Sequence, residues 1–261
     1  MLLALDAGNS NITIGAFDGQ TLSGQWRLRT IREQTPDEWG ILLRNLFSLA
    51  GLDLSAIDGV VIASVVPALD QPLAAMSERY FQRTPLFVSP LGDLGIKVRI
   101  DNPREVGADR LANAVAGFNK YGGPCVIVDL GTTINFDVVS KDAAFIGGVI
   151  APGIGMSING LFAKTARLPM VDFREPEKLI GSNTVGNIQS GLYYGFIGMI
   201  DGIVERIVAE LGPETKAVAT GGQGELIVRG SRCVKIYDQH LTLEGLRLIW
   251  ERSRTASGRK A

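Results

Sequence analysis

Short, unbroken apolar runs alternate along the chain with clusters of small polar residues. Leu2-Leu3-Ala4-Leu5 runs into Asp6-Ala7-Gly8-Asn9-Ser10, and Val126-Ile127-Val128 runs into Asp129-Leu130-Gly131-Thr132-Thr133. An apolar run without alternation predicts a strand buried on both faces. Each run ends in an acid, which would be costly to bury unpaired, so each acid is expected at the mouth of a cleft where a cation can pair with it. The glycine that follows lets the backbone turn and approach a ligand. The hydroxyls and N–H groups beyond it suit phosphate oxygens. Either stretch alone would also fit a plain Asx turn. A second strand follows each acid, at 12–17 and 134–139, and the two acids lie nearly half the chain apart. A repeat on that scale predicts two similar domains, 1–118 and 119–261, presenting their turns to a shared cleft.

The pattern fills in the rest. Asp18-Gly19 marks a hairpin turn into a third strand at 22–28. Thr35 and Pro36 open a helix at 36–50. A buried strand at 59–66, a helix at 69–81 and a strand at 86–88 follow, giving the order βββαβαβ. Leu111, Val115 and Phe118 recur at helical spacing, so a helix is expected from about 105, with Gly107, Asp109 and Arg110 in its first turns. The second half predicts a strand at 144–150, a helix at 156–162 and a long helix from 185 capped by Asn183-Thr184. Gly191, Gly195, Gly198 and Gly202 on that helix would let another helix come close, including one across a subunit interface. A strand at 216–220 runs into Gly221-Gly222, whose bare backbone suits an adenosine. A helix at 244–250, capped by Thr242, closes the chain, and the tail beyond Arg252 is expected to fray.

Composition narrows the chemistry. Among 261 residues, 46% are hydrophobic and 20% charged, as in a folded globular chain. A net charge of −1 without a long basic run argues against nucleic acid as the main partner. Two cysteines make no disulfide framework, and Cys125 reads as a small core residue. His240 is the only histidine, which rules out His-rich metal sites and a Ser-His-Asp centre that lacks it. The carboxylates, threonines, asparagines and arginines that remain suit magnesium-assisted phosphoryl transfer. The first apolar stretch meets Asp6 too early for a signal peptide. The uncharged run at 143–162 carries Pro152 and many glycines, so it reads as strand, turn and helix rather than a membrane span. The expected location is cytoplasmic.

Asp109 has two readings: an acid favoured by the helix dipole, or a carboxylate that accepts a proton from a substrate alcohol. Arg110 could pair with a substrate carboxylate or with Asp101 or Glu105. The stretches Asp6-Ala7-Gly8-Asn9-Ser10, Gly107-Ala108-Asp109-Arg110 and Asp129-Leu130-Gly131-Thr132-Thr133, in that order, resemble the motifs of type III pantothenate kinases. These kinases belong to the actin-like and sugar-kinase-like ATPase superfamily. Gly147 to Gly153, Asn183-Thr184, Thr220-Gly221-Gly222 and Leu241 to Leu246 resemble further family stretches, so the likeness runs nearly end to end.

The resemblance implies an α/β fold of two ribonuclease-H-like (actin-like ATPase) domains with an interdomain cleft. The implied reaction is phosphorylation of pantothenate by ATP, the first step of coenzyme A synthesis. It implies Asp109 as general base, and Gly107, Ala108, Asp109, Arg110 and Thr184 as the pantothenate site. It implies Asp6, Ala7, Gly8, Asn9, Ser10, Asn11, Ile12, Thr13 and Thr132 as the ATP site. Asp129 would hold a monovalent cation, potassium or ammonium. Magnesium would come with ATP, with Asp6 a candidate to meet it. A homodimer is implied, with no membrane or nucleic-acid partner. The chain departs from the family pattern at Ile100, where many relatives carry tyrosine, and at Thr133 and Asn135, where alanine and threonine are more usual. Two other classes stay open: a kinase for a sugar or small acid, and a nucleotide-binding regulator without turnover. An actin-like filament or chaperone ATPase is disfavoured by the chain's length.

Overall fold

The computed structural model describes residues 1–163 and 168–258. The chain divides into two compact units: Met1–Ala116 together with the stretch from Leu241, and Gly117–His240. The first opens with an antiparallel meander of β1 (Leu2–Ala7), β2 (Asn11–Asp18) and β3 (Thr21–Arg29). Then come α1 (Pro36–Leu49), β4 (Gly59–Ser64), α2 (Pro67–Met76) with a π turn over Ser77–Phe81, and the short β5 (Leu86–Phe87) and β6 (Lys97–Val98). The sheet order is β3-β2-β1-β4-β5. Helix α1 starts at a capping box: Glu38 N–H donates to Thr35 Oγ1 (3.3 Å), and Thr35 N–H donates to Glu38 Oε2 (2.7 Å). Its buried face, Trp39, Leu43 and Phe47, joins Leu3, Leu5, Ile12, Ile14 and Ile62 in one core.

A 3-10 turn at Pro103–Glu105 precedes α3 (Ala108–Tyr121). The helix therefore begins after Gly107, not near 105: Gly107 carbonyl accepts the Leu111 N–H (3.2 Å) and stands just outside the first turn. The division between the two units falls inside α3.

The second unit repeats the plan with β7 (Cys125–Leu130), β8 (Thr133–Val139), β9 (Ala144–Pro152), α4 (Ile154–Ala163), α5 (Thr184–Leu211), β10 (Lys216–Gly221), α6 (Gly224–Gly230) and β11 (Ile236–Tyr237). These strands neighbour one another in the order β9-β8-β7-β10-β11. That is the order of the first sheet with β7 in the place of β1, so the two ribonuclease-H-like halves expected from the repeated acid-glycine turns are present. The second core gathers Val126, Val128, Phe136, Ile197, Ile200 and Val204. Cys125 is fully buried, and burial pushes its thiol up to about 12, so it is an inert core residue.

The closing helix, α7 (Leu241–Gly258), corrects the expected domain boundary. The sequence assigned 241–261 to the second domain, yet α7 packs on β1, β2 and β4 of the first. Three glycines permit this. Gly15 and Gly59 leave room for Leu243 and Trp250, and a Cβ at Gly245 would run into the backbone of Ala112 in α3. Thr242 is not a cap: its Oγ1 donates to Asn113 Oδ1 of α3 (2.7 Å). Nor does the helix stop at 250. It continues to Gly258, and the last three residues lie outside those described. Among the described residues no helix is long and apolar enough to cross a membrane.

Buried Asp201 of α5 anchors the loop into β11. It accepts Ser231 Oγ–H (2.5 Å) and the N–H groups of Arg232 (3.0 Å) and Cys233 (3.2 Å). Burial pushes its pKa up, but these donors outweigh burial and hold it below the usual carboxylate value. A depressed folded-state pKa stabilises the fold above the unfolded value, and the gain is lost as pH falls through the folded one. Asp201→Ala is expected to cost about 2 kcal/mol or more at neutral pH, because it strands buried donors. Urea unfolding should show the gap to wild type closing in acid; equal stability of the two at neutral pH would contradict the anchor.

Candidate active site

In the first unit, β1 and β4 run parallel, pairing Asp6 with Ala63 and Ala7 with Ser64. Their carboxyl ends are level, where open α/β sheets bind ligands. Asp6 also lies opposite Thr13 across the β1–β2 pair. The turn between them is tightly tied. Gly8 N–H donates to Asn11 carbonyl (3.0 Å), and Thr30 spans the turn, its Oγ1 donating to Gly8 carbonyl (2.6 Å) and its N–H to Ser10 carbonyl (3.1 Å). Asn9 and Ser10 are exposed, and Asp6, Gly8, Asn11 and Thr13 are half-buried, while Ala7 and Ile12 turn into the core. Such an arrangement can offer backbone donors and hydroxyls to an anion.

The same unit holds Gly107 to Arg110. Asp109, on the first turn of α3, folds its carboxylate back over Gly107, so a Cβ there would run into Asp109 Oδ1 and lie 3.2 Å from Val65 Cγ1. Oδ1 also accepts the Arg110 N–H (2.8 Å). Burial pushes the Asp109 carboxyl above its usual value, against the lowering effect of the Arg110 N–H and guanidinium. A desolvated carboxylate with a raised pKa is a stronger base than an exposed one.

The second unit builds the matching turn. Asp129 is level with Thr220 of β10 and lies opposite Asn135 of β8. Gly131 N–H donates to Thr133 carbonyl (3.0 Å), and Thr133 Oγ1 to Asn135 Oδ1 (3.1 Å). Thr132 is exposed. Two more backbones close on this turn. A Cβ at Gly153 would overlap the Thr132 carbonyl, and one at Gly221 would lie 2.7 Å from the Leu130 carbonyl oxygen. Gly221 holds φ +88°, a value that favours glycine, and its carbonyl accepts Tyr237 Oη–H (3.1 Å). The donors around Asp129 are carboxylate, hydroxyl, amide and carbonyl oxygens, which suit potassium or magnesium rather than a soft metal. Thr184 is the exposed first residue of α5, behind Asn183, whose Oδ1 caps the helix by accepting the Gly186 N–H (2.8 Å).

The predicted residues thus fall into a first-unit group, Asp6 to Thr13 with Gly107 to Arg110, and a second-unit group, Asp129, Thr132 and Thr184. The sequence reading missed the residues that brace these turns: Thr30, Val65 and Tyr237. Each acts through tertiary contacts and none has a sequence signature.

Residues 2–206 match the family model described as type III pantothenate kinase. A type III pantothenate kinase from Solibacter usitatus is 67% identical over 253 residues, 97% of each chain. Among solved structures, a Campylobacter jejuni protein described as a Baf family transcriptional activator is similar with a TM-score of 0.60 at 20% identity, covering 97% of this chain and 99% of that one. The activator of the 2-hydroxyisocaproyl-CoA dehydratase from Clostridium difficile gives 0.56 at 13% identity, covering 100% and 97%. At these identities the structural likeness speaks for the fold alone. The sequence likeness, which spans all three motif stretches, reaches further: the chain belongs to the type III pantothenate kinase family.

Proposed function

We infer that the chain transfers the γ-phosphoryl group of ATP to the primary hydroxyl of pantothenate, giving 4'-phosphopantothenate and ADP on the route to coenzyme A. The observation that carries this reading is the Asp109 carboxylate, desolvated and folded over Gly107 in the same unit as the Asp6 turn, in a chain 67% identical to a type III pantothenate kinase.

In this reading Asp109 orients the hydroxyl and takes its proton as the oxygen bonds to the γ-phosphorus and the bond to the bridging oxygen of ADP breaks. Phosphoryl transfer asks mainly for positioning and charge neutralisation. The backbone and hydroxyls of Asp6 to Thr13 hold phosphate oxygens, and Thr132 contributes from the second unit. Gly107 to Arg110 and Thr184 hold pantothenate, with the Arg110 guanidinium on its carboxylate. Asp6 is the acid offered to the magnesium that would come with ATP and would neutralise phosphate charge. Asp129 would hold a potassium or ammonium ion, which would supply positive charge for the phosphates. The reading includes a cytoplasmic enzyme and a homodimer. Gly191, Gly195 and Gly198 support the dimer: apart from the helix's own backbone, nothing among the described residues comes within 4 Å of a Cβ built at any of them, and exposed Val185 and Tyr194 lie on the same helix.

Asp109→Asn is expected to lower kcat by roughly a hundredfold or more while ATP still binds; near-normal turnover would refute the base. The same variant has a stability signature. A carboxyl with a raised folded-state pKa destabilises the fold once ionised, above that pKa, and not below the unfolded value of 3.8. Asp109→Asn should therefore melt higher than wild type near neutral pH, with the advantage vanishing in acid.

ADP release with magnesium-ATP and pantothenate should be faster in potassium than in sodium, and Asp129→Ala should abolish that difference. A variant that still distinguishes the two salts would move the cation elsewhere. Gly195→Glu is expected to leave the thermal midpoint of the protomer little changed and to halve the mass measured by light scattering. A wild-type protein of monomer mass would remove the dimer from this reading.

A further inference from the structure

The turn between β4 and α2 belongs to none of the motif stretches, yet it touches both parts of the first-unit site. Val65 N–H donates to Ala7 carbonyl (3.1 Å), the root of the Asp6 turn. The Val65 side chain packs toward Gly107, with Cγ1 3.2 Å from where a Cβ at that glycine would stand, on the spot over which the Asp109 carboxylate is folded. The turn is itself braced. Ser64 Oγ donates to Asp70 Oδ1 of α2 (2.5 Å) and accepts the Val66 N–H (3.3 Å). Val65 is half-buried and packs on the core cluster through its apolar surface. A β-branched side chain has few rotamers, so it makes a stiff spacer.

We propose that Val65 is a positioning residue for the phosphoryl transfer: its backbone grips the phosphate turn at Ala7, and its side chain backs the Gly107 cradle that holds Asp109, which sets the distance between the two. The proposal rests on the reading of Asp109 as the base. With Gly107 bare, the carboxylate has no side chain beneath it, so Val65 and the α3 backbone limit where it can go. Truncating Val65 leaves the Ala7 hydrogen bond in place and removes only the spacer. The carboxylate then gains room to move and water gains a path to it. Substrate groups held by other residues are untouched.

The test is steady-state kinetics of Val65→Ala and Val65→Ile beside wild type and Asp109→Asn. Val65→Ala is expected to lower kcat about ten- to a hundredfold, the scale of a misplaced catalytic group, with KM for ATP and pantothenate within about twofold of wild type. Val65→Ile, which keeps the branched spacer, should restore most of kcat. If the alanine variant does not melt cooperatively, Val65→Cys removes one branch of the spacer while keeping part of the apolar contact, and the same fall in kcat with little change in KM is expected of it. Wild-type kcat in Val65→Ala would overturn the proposal. So would a loss that falls on KM for pantothenate alone, because Val65 would then be a substrate contact. Should Asp109→Asn turn over normally, the base assignment fails. Should it be dead while Val65→Ala is normal, only the positioning role fails.

Discussion

Parallel pairing of β1 with β4 is the constraint on which the first unit depends. With Ala7 level with Ser64, the two strands end together, and the turns that follow must share the same edge of the sheet. The Asp6 turn leaves β1 there and the Val65 turn leaves β4 there. A shift in that pairing would move the Val65 N–H off the Ala7 carbonyl and carry the two turns apart. In the second unit β7 and β10 stand in the same relation, with Asp129 level with Thr220 and Leu130 with Gly221. One topology, used twice, sets an acid at the carboxyl end of each central strand.

Glycines decide how closely the remaining pieces approach. Gly153 and Gly221 lie against the backbone of the Asp129 turn, where any side chain would displace it. Gly107 does the same for a carboxylate, and Gly245 for the contact of α7 with α3. In each case the missing Cβ is replaced by another part of the chain, so the rigidity that a site needs is supplied by close packing rather than by many polar contacts. The glycines of α5 differ. Among the described residues, Gly191, Gly195 and Gly198 have no such neighbour.

The electrostatics follow from depth. Asp201 is buried and Asp109 half-buried, yet their carboxyls move in opposite directions. Asp201 collects a hydroxyl and two backbone donors, which favour the charged form over burial, and it serves as an anchor. Asp109 has the Arg110 N–H and guanidinium against its burial, and burial wins. A carboxylate whose burial outweighs its donors holds its proton more tightly.

Much of this was legible in the sequence. The unbroken apolar runs ending in Asp6 and Asp129 fixed the central strands, because a run buried on both faces has no other use for an acid at its end. The capping residues Thr35 and Asn183 opened their helices as read, since a cap is a local interaction. The repeat of acid, glycine and hydroxyl gave the two-domain plan. What failed was non-local. Thr242 sits where a cap would, but its hydroxyl is drawn to Asn113 across a helix contact. Gly107 looked helical by spacing, yet the helix begins one residue later. The closing helix has an apolar face that any sheet could have covered, and only the cavities left by Gly15 and Gly59 assign it to the first. The braces at Thr30, Val65 and Tyr237 are ordinary residues whose importance comes from tertiary contacts. The sequence by itself determined the elements and the chemical groups at the strand ends, because periodicity and capping act over a few residues. Tertiary structure alone decided which surfaces meet and which donors gather at Asp201, because both depend on groups brought together from distant parts of the chain.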